Sequence, residues 1–199
     1  MSGKGRSMAK KVTKKTTKKS IKKVTPSTSP RLVPPSIRDR GPYTTSFKAG
    51  DRAPEFTLKD QTGRSVSLTD FKGKRVLVYF YPRAMTPGCT VQACGLRDSR
   101  NELKREDIIV LGISPDSIEK LKAFEEKHEL NFTLLSDEGL KAIKAYGAWG
   151  AKKFMGRTFD GVLRQSFLID KEGKILHVLP NVKTSGHIEA VLELFKRLS

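Results

Sequence analysis

Val76-Leu77-Val78-Tyr79-Phe80-Tyr81 runs directly into Pro82-Arg83-Ala84-Met85-Thr86-Pro87-Gly88-Cys89-Thr90. The first six residues show no alternation of apolar and polar types, so they read as a strand buried on both faces. A Pro-rich turn then delivers a cysteine to the start of a helix. There the first-turn N–H groups are unpaired and the helix dipole is positive, so a thiolate is favoured over a thiol. Cys94, the other of the chain's two cysteines, falls on the same predicted helix, and the pair suggests redox chemistry.

Outward from this stretch, Thr90 to about Arg105 reads as helix, and Ile108-Ile109-Val110-Leu111-Gly112-Ile113 as a second doubly buried strand. Asp116 is the expected N-cap of the next helix, with Glu119 placed for a capping box and Ile118, Leu121 and Phe124 along its apolar face. Phe132-Thr133-Leu134-Leu135 is a short strand, and a short helix marked by Leu140, Ile143 and Tyr146 stops at Gly147. Two hairpins are expected. One places Phe56-Thr57-Leu58 and Ser65-Val66-Ser67-Leu68 around Asp60-Gln61-Thr62-Gly63; the other places Ser166–Asp170 and Ile175–Val178 around Lys171-Glu172-Gly173. Ile188, Val191, Leu192, Phe195 and Leu198 form the stripe of a C-terminal helix. Helices between buried strands, followed by a hairpin and a helix, predict an α/β sandwich on a mixed sheet, with an N-terminal β-hairpin.

The 199 residues suffice for one well-buried domain. No apolar stretch approaches the ~20 residues of a membrane span, and no signal-peptide core follows the first charges. Two cysteines do not make a secreted disulfide scaffold, so a reducing, cytoplasmic setting is expected. Residues 1–50 carry 14 Lys/Arg against Asp39 alone, which is +13 of the chain's net +18. Residues 1–45 therefore read as a disordered Lys/Thr/Pro-rich tail and linker, and residues 46–199 as the folded domain. The Lys cluster of residues 4–23 is suited to non-specific nucleic-acid binding, since it lacks interleaved aromatics for base stacking. A merely solvated tail, nucleoid or chromatin association, and nuclear or organellar targeting are the readings open for this segment; a nucleic-acid-associated protein is the competing function class.

Cys89 and Cys94 are five positions apart. Five residues of α-helix rise ~7.5 Å and turn ~140°, placing the Cα atoms ~8.6 Å apart. A disulfide needs roughly 7 Å or less and converging Cβ vectors. The two can bond only if the first helical turns unwind, which Gly95 eases by ~1 kcal/mol relative to Ala. The spacing is not the Cys-x-x-Cys of a thioredoxin-type oxidoreductase. With only His128, His177 and His187 besides, it is not a structural zinc set either, and no metal or other cofactor is expected.

Pro82, Thr86 and Cys89 resemble the Pro-x-x-x-Thr-x-x-Cys motif of peroxiredoxins. The string Tyr79-Phe80-Tyr81-Pro82 through Gly95-Leu96-Arg97-Asp98 is similar to the peroxiredoxin Q branch, also called bacterioferritin comigratory protein. Leu111–Ser114, Asn131–Asp137, Trp149-Gly150, Phe154-Met155-Gly156 and Ser166–Asp170 extend the similarity across about residues 47–199. The resemblance implies a thioredoxin-like fold and thiol-dependent reduction of hydrogen peroxide and organic hydroperoxides. It implies Cys89 as the peroxidatic cysteine, Thr86 as a hydrogen-bonding partner of peroxide or thiolate, and Pro82 as a shield for the oxidised sulfur. Arg164 would stabilise the thiolate and the charge developing on the peroxide. Cys94 would resolve the sulfenic acid as an intramolecular disulfide, which thioredoxin reduces. The family also implies a monomer.

Overall fold

A computed structural model describes residues 46–154 and 156–197. The readings for residues 1–45 and for Leu198 lie outside the described residues. In chain order the elements are β1 (Thr57–Asp60), β2 (Ser65–Ser67), β3 (Arg75–Phe80), α1 (Pro87–Asp98), α2 (Arg100–Arg105), β4 (Ile108–Ser114) and α3 (Ile118–His128). They continue with β5 (Thr133–Ser136), α4 (Lys141–Ala145), β6 (Trp149–Phe154), β7 (Arg157–Val162), β8 (Gln165–Ile169), β9 (Ile175–Leu179) and α5 (His187–Arg197). Seven strands make one mixed sheet in the order β2-β1-β5-β4-β3-β8-β9, and β6-β7 form a separate ribbon.

The two apolar runs lie side by side at the centre, parallel, with Val76 opposite Ile109 and Phe80 opposite Ile113. β8 pairs antiparallel on the other side of β3, Val78 opposite Phe167. Alternate residues of β3 enter different cores, which explains the unbroken hydrophobicity. Val76, Val78 and Phe80 join Leu111, Ile113, Phe167, Ile143 and Tyr146 on one face. Leu77, Tyr79 and Tyr81 join Ala93 and Leu96 of α1, Leu121 and Phe124 of α3, and Val191 and Phe195 of α5 on the other. Each such side chain contributes roughly 1.5–3 kcal/mol on burial, so the register of β3 is fixed several times over.

Both predicted hairpins are present, as β1-β2 and β8-β9. Three local expectations need correction. The helix expected from Thr90 to Arg105 starts at Pro87 and is broken at Ser99 (φ −90°, ψ 18°) into α1 and α2. The N-cap of α3 is Ser117, in extended conformation, because the Asp116 side chain is held by a distant loop described below. No strand is predicted for Trp149–Phe154 or Arg157–Val162, yet they form the antiparallel β6-β7 ribbon, with Trp149 opposite Val162 and packed against the core. Among the described residues no helix is long and apolar enough to cross a membrane.

Candidate active site

The end of β3 builds the site. Tyr81 N–H donates to Ile113 O at 3.1 Å, the last ladder bond before Pro82, which has no N–H to give. The chain then turns through Pro82–Thr86, held by one carboxylate: Asp116 Oδ2 accepts from Ala84 N–H at 2.7 Å and from Ser114 Oγ at 3.0 Å. Met85 is 40 % exposed and has φ +64°, a left-handed conformation that costs a non-glycine residue roughly 1 kcal/mol or more. This turn swings Thr86 into an extended cap position (φ −82°, ψ 148°), and Pro87 follows at the first helical position.

Cys89 is thus the third residue of α1, 1 % exposed, with no acidic residue in the first turn to oppose a negative charge. Arg164, just before β8, donates from Nη2 to Cys89 Sγ at 3.4 Å and from Nη1 to Gln92 Oε1 at 2.6 Å. The Arg164 backbone is fixed in turn, its carbonyl accepting from Val182 N–H at 3.0 Å. Gly88 faces the same guanidinium: a Cβ there would lie 3.5 Å from Arg164 Nη2 and 3.5 Å from Thr184 Cγ2, in ordinary van der Waals contact with both. Lys152, half-buried on β6, donates to Val162 O at 2.9 Å. Burial first, and then the charge of Arg164, lower its amine from the ordinary lysine value, while Cys89 opposes the shift.

The structure brings Arg164 and Cys89 into contact, and places Pro82, half-buried, and Thr86 in the turn that sets up the helix. The Thr86 hydroxyl donates to Arg83 O at 2.9 Å, so it meets a ligand as an acceptor. Cys94 lies further along the unbroken α1, half-buried, and both thiols are free. Below the helix, Tyr79 stacks on Tyr81 (ring centroids 5.4 Å apart) and lies flat against Gly112. Burial raises the Tyr79 phenol well above its ordinary value, with Tyr81 and Cys89 adding to the effect. Among the described residues no cluster of three His, Cys, Asp or Glu side chains could hold a metal ion.

Sequence reading missed Gln92, Asp116 and His187 as members of this constellation. Gln92 had a signal: three residues after Cys89, it occupies the same helix face. His187, 4 % exposed, gave none. It bonds Gln92 Nε2 through Nδ1 (3.2 Å) and Ser166 Oγ through Nε2 (2.9 Å). Burial, reinforced by the Arg164 charge, lowers it from 6.5 to about 4.

The site thus sets a buried thiol at a helix N-terminus against a permanently charged guanidinium, beside the central strands of a mixed sheet. The AhpC/TSA family model matches residues 49–178. The chain is 62 % identical over 150 residues to peroxiredoxin Bcp of Escherichia coli, covering 75 % of this chain and 96 % of that protein. It is 54 % identical over 152 residues to a putative peroxiredoxin of Haemophilus influenzae, covering 76 % and 98 %. Peroxiredoxin Q of Xanthomonas campestris superposes with a TM-score of 0.68 at 30 % identity, covering 71 % of this chain and 90 % of that one. Peroxidoxin BcpB of Mycobacterium tuberculosis gives 0.69 at 32 %, covering 77 % and 99 %. The chain belongs to the AhpC/TSA family, in its peroxiredoxin Q (Bcp) branch.

Proposed function

We propose that the chain reduces hydrogen peroxide and organic hydroperoxides through Cys89, with Cys94 as resolving thiol and thioredoxin as reductant. The Cys89 thiolate attacks the terminal peroxide oxygen; the O–O bond breaks, and the leaving oxygen takes a proton to depart as water or alcohol. Cys89 is left as a sulfenic acid. The Cys94 thiolate then attacks that sulfur and the hydroxyl leaves as water, giving a disulfide. A dithiol of thioredoxin reopens it by exchange. Arg164 stabilises the attacking thiolate and the charge on the leaving oxygen, Thr86 accepts a hydrogen bond from the peroxide, and Pro82 covers the oxidised sulfur.

The observation that carries this reading is the 3.4 Å bond from a permanently charged guanidinium to a buried thiol at a helix N-terminus. A bacterioferritin comigratory protein of Xanthomonas campestris is described by its alkyl peroxide reduction activity, which supports the organic hydroperoxide arm. Mass spectrometry after one equivalent of hydrogen peroxide should find a Cys89–Cys94 disulfide, two hydrogens lighter than the dithiol. Cys94→Ser should stop at a dimedone-reactive Cys89, and Cys89→Ser should abolish thioredoxin-coupled peroxide consumption. Full consumption by Cys89→Ser would overturn the assignment.

A further inference from the structure

Arginine can only donate hydrogen bonds, and that fixes every role along a line of side chains behind the site. The Gln92 atom facing Arg164 Nη1 at 2.6 Å must be its oxygen, so the amide NH2 faces His187. His187 Nδ1 must then accept that N–H at 3.2 Å and carry no proton. A neutral imidazole holds one N–H, here on Nε2, which donates to Ser166 Oγ at 2.9 Å. Ser166 is fully buried in β8, opposite Tyr79 of β3 and Leu179 of β9, two residues from Arg164 itself. The line therefore closes into a ring: Cys89 and Gln92 from α1, His187 from α5, Ser166 and Arg164 from the β8 segment. His187 opens α5, whose Val191 and Phe195 are buried in the core under α1.

We propose that His187 is a positioning residue and latch, holding Arg164 against Cys89 through Gln92 while tying α1 shut through the same amide. This rests on Cys89 as the peroxidatic thiol. Gln92 lies between Cys89 and Cys94, so the helix cannot open to join the two sulfurs until the Gln92–His187 bond breaks. Two steps consequently depend on His187 in opposite directions. Removing the acceptor at Nδ1 frees the Gln92 amide to turn, loosens Arg164 and slows attack on peroxide. It also unlatches α1 and speeds disulfide closure. A purely structural histidine would not split the two rates.

The test uses the full chain in rapid-quench single turnovers with hydrogen peroxide. Cys89 oxidation is timed in a Cys94→Ser background, and disulfide closure is timed with both cysteines present. His187→Leu should oxidise about 10-fold more slowly and close about 10-fold faster, the scale of one broken buried hydrogen bond. His187→Gln supplies an acceptor and a donor again and should restore both rates to within about 2-fold. Rates that fall together, rates that do not change, or a His187→Gln protein matching His187→Leu would overturn the latch. In the unmutated protein, nitrogen NMR should find Nδ1 unprotonated and Nε2 protonated, and the reverse tautomer would overturn it without any variant. Peroxide turnover by Cys89→Ser sinks the peroxidatic assignment instead. An inactive Cys89→Ser beside an unaffected His187→Leu sinks only the latch.

Discussion

Lowering the pH from 7 to 5 should cost the folded state about 2 kcal/mol through His187 alone. The ring is packed among Gln92 of α1, Ser166 of β8 and Tyr79 of β3, and the cation acting on it is Arg164. Burial and that charge take it from 6.5 to about 4 on folding. At pH 5 the unfolded chain therefore carries nearly a full proton here, and the native chain about a tenth of one. Stability rises with pH wherever the unfolded state binds more protons. The contribution is intact above pH 6.5, falls through the window down to about 4, and levels off below, where both states are charged. At 1.36 kcal/mol per unit, the full window is worth about 3 kcal/mol, of which about 2 kcal/mol is gone by pH 5. With a urea slope of about 2 kcal/mol per molar, the midpoint should fall by about 1 M. The assay is urea unfolding of the reduced full chain at pH 7 and pH 5, beside His187→Gln, which has no proton to take up. Other titrating groups contribute to both proteins, so the difference between the two shifts isolates His187. Equal shifts in the two proteins would refute the reasoning, and so would a proton NMR titration placing His187 near its ordinary value.

Two further outcomes test the frame around the site. Gly112→Ala would set a Cβ 2.8 Å from Tyr79 Cε1, Cζ and Oη, and overpacking of this kind costs typically 1–3 kcal/mol. Urea unfolding should show that loss, and an unchanged midpoint would mean that the Tyr79–Tyr81 stack can slide. Asp116→Ala removes the acceptor that Ala84 N–H and Ser114 Oγ share. A stability loss of about 2 kcal/mol is expected, together with slower single-turnover oxidation of Cys89. Normal oxidation in a destabilised protein would show that Arg164 and the helix hold the thiol without the turn.

The layers of the fold were legible because they depend on signals a few residues long. Val76–Tyr81 and Ile108–Ile113 have no polar interruption, so they had to be central, and the turns at Gly63 and Gly173, both at positive φ, define their hairpins. The β6-β7 ribbon was missed because Trp149-Gly150-Ala151-Lys152-Lys153-Phe154 has neither alternation nor an apolar run. Asp116 was misassigned for a different reason. Its local pattern suits an N-cap, but its side chain answers an N–H from Ala84, 32 residues earlier, and a partner that distant leaves no mark in the local spacing. The site divides in the same way. Cys89, Thr86 and Pro82 form a contiguous motif. Arg164 and His187, by contrast, reach Gln92 across 72 and 95 residues. Nothing in a periodic pattern says that these three side chains meet.

The ring also bears on the order of events in the proposed cycle. While Cys89 is an anion, Arg164 faces a full negative charge, and a charge-assisted bond is about twice as strong as a neutral one. The same guanidinium pins Gln92, so the strength of the first contact is passed on to the helix. Oxidation to a sulfenic acid replaces that anion with a neutral group and weakens the pull that keeps Arg164 in place. Opening α1 then costs the Gln92–His187 bond, at about 1 kcal/mol, and the first-turn bond from Thr90 N–H to Thr86 O, at a similar figure. Both costs fall due after the peroxide has been reduced, because the charge that backs them is consumed by that step. In the proposed cycle, the helix that activates Cys89 and later releases it to Cys94 is held most firmly in the state that attacks peroxide.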